Sequence, residues 1–189
     1  TERVDLEAAT QRGIPVVITP GSNTRAVAEG ALALMLSLVK SLPELDAIVR
    51  GGGWSDRERV TVGDIDGATV GIVGYGRIGQ RLAELLGVLG ATVVAFDPAA
   101  PIPDGIRADT LDDLLERSDI VSLHVPLLDS TRHIINAGTL SRMKRGAILV
   151  NCSRGPLVDL DAALDALTTG QLSGIGLDVF DDEPPAPHA

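Results

Sequence analysis

From about residue 70 onward, short β-branched apolar runs alternate with stretches of helical periodicity, and few folds satisfy that pattern. The runs are Thr69–Val73, Thr92–Phe96, Ile120–His124, Ala147–Asn151 and Ile175–Val179. Each is almost continuously apolar, as strands covered by helices on both faces must be. Between them, Ile78, Leu82, Leu85 and Leu89 recur at helical spacing, and so do Leu160, Ala163, Leu164 and Leu167. Asp159 is placed to cap the second of these helices and Gly170 to stop it. The expected fold class is α/β: a Rossmann-like, doubly wound parallel sheet of five strand–helix repeats, lacking the sixth strand of the full dinucleotide-binding fold.

The first 68 residues read differently. A short strand is predicted over Val16–Thr19, ending in Pro20-Gly21. A long helix should then start near Asn23, whose side chain can cap it, with Ala26, Ala33, Leu34 and Leu38 on one stripe between Arg25 and Lys40. A second helix is predicted over Leu42–Arg50, stopped by Gly51-Gly52-Gly53 before Trp54. This pair is too apolar to stand free in water. It must pack on the α/β domain, on another part of the protein, or on a second subunit.

Charge and cysteine content exclude several classes. With 16 Lys+Arg against 26 Asp+Glu, the net charge is −10, which argues against nucleic acid as a partner. The single cysteine, Cys152, excludes an intrachain disulfide framework and suits a reducing compartment. The longest apolar run, Ala31 to Val39, is about half of the roughly 20 residues a bilayer demands, and no signal peptide is visible. A cytoplasmic location and no membrane association are expected.

Chemistry enters with Val70-Gly71-Ile72-Val73-Gly74-Tyr75-Gly76-Arg77-Ile78-Gly79. The Gly74-x-Gly76-x-x-Gly79 pattern alone is weak, but here it follows a strand and opens a helix. Gly74 permits a tight turn, Gly76 lets backbone approach a pyrophosphate, and Gly79 lets helix pack on strand. The helix N-terminus offers N–H groups and a positive dipole end. Asp97, 18 residues after Gly79 at the end of the second strand, is placed to accept hydrogen bonds from an adenine ribose. Its carboxylate would repel a 2′-phosphate, and Pro98, Ala99 and Ala100 offer no arginine to bind one, so NAD is expected over NADP.

Three further segments sit at carboxyl ends of predicted strands: His124-Val125-Pro126-Leu127, Asn151-Cys152-Ser153-Arg154-Gly155, and Gly176-Leu177-Asp178-Val179-Phe180 running into Glu183-Pro184. With the glycine turn and the upstream Asn23-Thr24-Arg25-Ala26-Val27-Ala28-Glu29, they closely resemble the NAD-dependent D-isomer-specific 2-hydroxyacid dehydrogenases over essentially the whole chain. The resemblance implies hydride transfer between NADH and a 2-oxo acid. Arg154 would hold the substrate carboxylate and 2-oxo oxygen, a task that suits its planar fork. Glu183 would pair with a catalytic histidine, Asp178 would orient the nicotinamide carboxamide, and Cys152 and Ser153 would line the nicotinamide end. Pro126 and Thr131 would lie along the adenosine side, and Arg77 and Ile78 would present their backbone to the pyrophosphate.

The family's histidine belongs to a segment expected beyond Ala189. His188 reads as a loop residue, His124 as a shaper of the cofactor loop and His133 as structural or exposed; none has metal-ligand spacing, so no metal is expected. Residues 1–20 read as the remnant of a substrate lobe and residues 21–189 as the NAD-binding domain, a fragment expected to be inactive alone. In similar enzymes the helices before the glycine turn meet a second subunit, so a homodimer is expected through Ala31–Val39 and Trp54. The alternative is an NAD-sensing or scaffolding module of corepressor type. Glu183, which formate dehydrogenases of this family replace by glutamine, argues against formate; phosphoglycerate, glyoxylate, hydroxypyruvate and lactate stay open as substrates.

Overall fold

The computed structural model describes residues 4–185. In chain order the helices and strands are α1 (Leu6–Gln11), α2 (Thr24–Val39), α3 (Leu42–Arg50), β1 (Thr69–Val73), α4 (Arg77–Val88), β2 (Thr92–Phe96), α5 (Leu111–Arg117), β3 (Ile120–Leu123), α6 (Ala137–Leu140), β4 (Ala147–Asn151), α7 (Leu160–Thr168) and β5 (Leu172–Leu177). Short 3-10 turns span Trp54–Arg59 and Gly155–Leu157. The five strands form one parallel sheet in the order β2-β1-β3-β4-β5.

The missing sixth strand is expected after the fifth, and this order corrects that place. Against the six-strand order 3-2-1-4-5-6, the strands β3, β4 and β5 take the last three places, so the vacant place lies beyond β2. In that place lies a parallel bridge between Ala95 and Arg107, where Ala95 N–H donates to the Ile106 carbonyl and Ala108 N–H donates to the Ala95 carbonyl. The order reverses direction between β1 and β3, which opens a crevice at their carboxyl ends.

Two apolar layers sandwich the sheet. On one face α5, α6 and α7 bury Leu114, Leu115, Leu140 and Ala163 against Val73, Val121, Leu123 and Leu149. On the other, α2 and α4 bury Ala28, Ala31, Met35, Leu82 and Leu86 against Val70, Ile72, Ile120 and Val150. The α2 stripe is therefore Ala28, Ala31, Met35 and Val39; of the predicted positions, Ala26 and Ala33 are exposed and Leu34 and Leu38 only half-buried. Ala31 to Val39 is apolar almost all round, so periodicity could not fix its rotation. Leu34 and Leu38 instead lie over β5, where a Cβ at Gly176 would sit 3.1 Å from Leu34 Cβ and one at Gly174 3.1 Å from Leu38 Cδ2. Those glycines belong to β5, which begins at Leu172 and ends at Leu177, two to three residues before the predicted run.

Other local expectations need correction. Val16–Thr19 is exposed and forms no strand, and α1 precedes it instead. Asn23 does occupy the N-cap of α2, yet its side chain makes no capping hydrogen bond. Leu164 is exposed, whereas Ala163 and Ala166 carry the buried side of α7. Asp159 caps α7 by accepting from Ala162 N–H, and Gly170 (φ 71°) follows its end, both as expected. No helix of the described residues is long and apolar enough to cross a membrane.

Candidate functional site at the carboxyl edge of the sheet

The expected site residues assemble along one edge because each follows a strand of the same parallel sheet. After β1, Gly74 takes φ 100°, a backbone region that disfavours side chains. A Cβ there would also stand 2.6 Å from the carbonyl carbon of His124, so the glycine turn lies directly on the chain leaving β3. A Cβ at Gly79 would overlap the Gly74 carbonyl oxygen, which is why α4 can begin so near the turn. Gly76, the N-cap of α4, is different: a Cβ would meet nothing within 4 Å. No side chain caps α4, so its first N–H groups face that open space. Arg77 is exposed, while the half-buried Ile78 joins the core and leaves only its backbone for a ligand. An uncapped helix N-terminus beneath a side-chain-free cradle fits a pyrophosphate.

Asp97 closes the adjoining end. Its carboxylate accepts from Tyr75 N–H (2.8 Å), Ala99 N–H (2.8 Å) and Ala100 N–H (3.0 Å). Partial burial pushes its pKa up, but these three donors outweigh it and hold the group below its ordinary value. Three donors leave lone-pair capacity for a ribose hydroxyl. The stabilisation Asp97 gives is present above the ordinary aspartate pKa of about 4 and is lost as pH falls below it toward the depressed folded value. Asp97→Ala is expected to cost about 2 kcal/mol, read as a lower urea midpoint at pH 7, with the difference from wild type shrinking in acid.

The residues expected on the nicotinamide side follow β4 and β5. Asn151, fully buried, organises them: its Oδ1 accepts from Ser153 N–H (3.0 Å), its Nδ2 donates to the Arg154 carbonyl (2.8 Å), and its own carbonyl accepts from Asp178 N–H (3.0 Å). Sequence reasoning assigned Asn151 no role, although a polar residue ending an apolar strand was a usable signal. Ser153 Oγ donates to the Val125 carbonyl at 2.7 Å. Burial, with Asp178 nearby, pushes the Cys152 thiol up to about 11, so it stays protonated and unreactive at neutral pH. Arg154 Nη1 donates to the Ser153 carbonyl at 2.7 Å. A Cβ at Gly155 would overlap the backbone of Phe180, so the Arg154 turn and the segment bearing Glu183 run side by side. Glu183 Oε1 accepts from Phe180 N–H at 3.4 Å.

The remaining expected residues are less committed to the crevice. Pro126 is exposed, and the Thr131 hydroxyl is spent within its own loop, donating to the Pro126 carbonyl (2.7 Å) and accepting from Leu128 N–H (2.8 Å). His188 lies outside the described residues. Among the described residues no group of three or more His, Cys, Asp or Glu side chains could hold a metal. A hollow of about 580 Å³ lies between α4 and the bridge segment beside β2, lined by Tyr75, Gln80, Glu84, Pro101, Pro103 and Ile106.

Comparison with known proteins agrees with this fold. A D-3-phosphoglycerate dehydrogenase of Mycobacterium bovis is 44% identical over 97% of this chain, which spans 35% of that relative's length. The crystal structure of TT0316 protein from Thermus thermophilus superposes with a TM-score of 0.93 at 42% identity, covering 100% of this chain and 61% of that one. A D-lactate dehydrogenase from Aquifex aeolicus, solved with NAD and lactic acid, gives a TM-score of 0.85 at 37% identity, covering 95% of this chain and 55% of that one. These relatives lend no support to the scaffolding alternative. Residues 32–189 match the family described as D-isomer specific 2-hydroxyacid dehydrogenase, NAD binding domain, and the chain belongs to that family.

Proposed function

We propose that the whole protein interconverts a D-2-hydroxy acid and its 2-oxo acid, and that this chain supplies the NAD site and part of the substrate site. The observation that carries the reading is the convergence of the glycine turn, Asp97 and the Arg154 turn on one sheet edge. Bound NAD would supply the hydride acceptor. Gly74, Gly76, Arg77, Ile78 and Gly79 receive the pyrophosphate through backbone N–H groups and the dipole of α4. Asp97 holds the adenine ribose, and Pro126 and Thr131 flank the adenosine. Cys152, Ser153 and Asp178 bound the nicotinamide.

Arg154 grips the substrate carboxylate and polarises the 2-oxo oxygen through its planar fork. Glu183 pairs with a histidine supplied from outside the described residues and keeps it charged for proton delivery. Residues 4–20 contain no buried side chain, which supports reading residues 1–20 as part of a substrate lobe and residues 21–189 as the NAD-binding domain. The test is calorimetric titration of the 189-residue chain with NADH and NADPH, beside turnover assays with glyoxylate and hydroxypyruvate. NADH binding without NADPH binding or turnover is expected; binding of neither nucleotide sinks the cofactor assignment.

The same reading takes the cytoplasm as compartment and excludes nucleic acid as partner, which the net charge of −10 supports. It also includes a homodimer, through a surface that keeps the expected Trp54 but not Ala31–Val39. Ala31, Met35 and Val39 are used inside the domain, whereas Leu42, Val49, Trp54 and Val62 are 48–63% exposed. Arg57 lies over the Trp54 ring, 4.1 Å from its centroid, and holds it outward. Light scattering at micromolar concentration should give twice the chain mass of 19.6 kDa, and Trp54→Asp should return it to that mass. A monomeric wild type would end this part of the reading.

A further inference from the structure

We infer that the His124–Val125 peptide is the spacer between the glycine turn and the Arg154 turn, and that the His124 side chain, through Ser122, is the positioning residue that holds it. The inference rests on the NAD reading above and deepens it. On one side of the peptide lies Gly74: a Cβ there would be 2.6 Å from the His124 carbonyl carbon, 2.7 Å from its oxygen and 2.8 Å from Val125 N. In the next peptide unit Ser153 Oγ donates to the Val125 carbonyl at 2.7 Å, and Asn151 ties Ser153 to Arg154. A dinucleotide running from the glycine turn to the nicotinamide end must span this peptide. Its position therefore sets how far the pyrophosphate sits from the substrate arginine.

What fixes the peptide is a short, buried anchor. His124 N–H donates to the Val73 carbonyl at 2.7 Å, which sets its height on the sheet. The imidazole Nε2 shares a hydrogen bond of 2.9 Å with Ser122 Oγ, two residues back on the same face of β3. Ser122 is fully buried, and His124 is the only residue its hydroxyl bonds among the described residues. Burial holds the ring neutral, with a pKa near 4. Its Nδ1 is buried without a partner among the described residues, a cost that an apolar side chain would avoid. Replacing both Ser122 and His124 by apolar residues could serve stability as well. What the polar pair adds is direction: one bond that stops the ring, and hence the peptide, from shifting toward either turn.

The test compares two probes that differ in reach. AMP occupies only the adenosine end and the glycine turn, whereas NADH must also reach Ser153. Calorimetry of wild type, Ser122→Ala, His124→Phe and His124→Gln with each probe, beside a thermal melt of each protein, reads the difference. Ser122→Ala and His124→Phe should weaken NADH about fivefold or more while AMP changes less than about twofold, and His124→Gln, which keeps a polar group at the Nε2 position, should recover most of the NADH affinity. Equal changes for both probes, no change for NADH, or no recovery by glutamine would overturn the positioning role. If the His124 variants do not fold, Ser122→Ala decides alone by the same ratio. A wild type that binds neither probe would overturn the NAD reading itself, and this inference with it.

Discussion

Gly79→Ala should lose both fold stability and NADH binding, whereas Gly76→Ala should lose binding alone. The two glycines are three residues apart in one turn, so the contrast isolates what each does. A methyl at position 79 would overlap the Gly74 carbonyl oxygen and stand 3.0 Å from Ile72 Cγ2. Neither is a flexible chain end, so α4 must lift off β1 at a cost of about 1–3 kcal/mol, carrying its N–H groups away from the crevice. A drop of about 100-fold in NADH affinity is expected, with a lower melting temperature. At Gly76 the backbone (φ −73°) accepts alanine and nothing lies within 4 Å, so the ligand-free variant should melt as the wild type does. Its methyl would fill the cradle and reduce NADH affinity at least about tenfold. Full-strength NADH binding by Gly76→Ala would mean that the pyrophosphate does not sit there.

Arg154→Lys, made in the whole enzyme, should lower kcat/KM for a 2-oxo acid by about 10²–10³-fold while leaving NADH affinity within about twofold. The charge is kept; the fork is lost. In the structure the guanidinium donates to the Ser153 carbonyl, and the Arg154 backbone carbonyl is fixed by Asn151. A lysine has no planar pair of donors to meet a carboxylate and a carbonyl together. A loss smaller than about threefold would remove Arg154 from substrate recognition, and parallel losses in NADH affinity would mark it as part of the cofactor site instead.

The sheet was legible because parallel strands covered on both faces must be continuously apolar, and β1, β2 and β4 fall on the predicted runs. The strand β5 was foreseen but its bounds were not, since Gly174 and Gly176 interrupt its apolar run; their lack of side chains answers to Leu34 and Leu38 from α2, a contact between segments more than 130 residues apart. Short helices escaped for a different reason. α6 has four residues and depends on its Asn136–Thr139 capping box, while α5 depends on Thr110 accepting from Asp113 N–H; neither carries enough turns for a period to show. At the site, the residues with motif spacing were visible, and the residue that organises them, Asn151, was visible only as a letter. Two of its three bonds shape its own turn, and the third, from Asp178 N–H, reaches the segment after β5 and exists only once the sheet has formed.

The bridge at Ala95 has a bearing on how the chain behaves at high concentration. In the five-residue β2, Thr92 and Phe96 turn their hydrogen-bonding groups toward β1, so Val93 and Ala95 point outward. Ala95 is already paired by residues 106–108. An intruding strand therefore finds one docking residue, Val93, flanked by a covered one, and the chain that continues from β2 carries Pro98, Pro101 and Pro103, which have no N–H to offer. At this edge a single bridge stands where a further strand could pair, and it restricts edge-to-edge stacking there, one common route to fibrous aggregation.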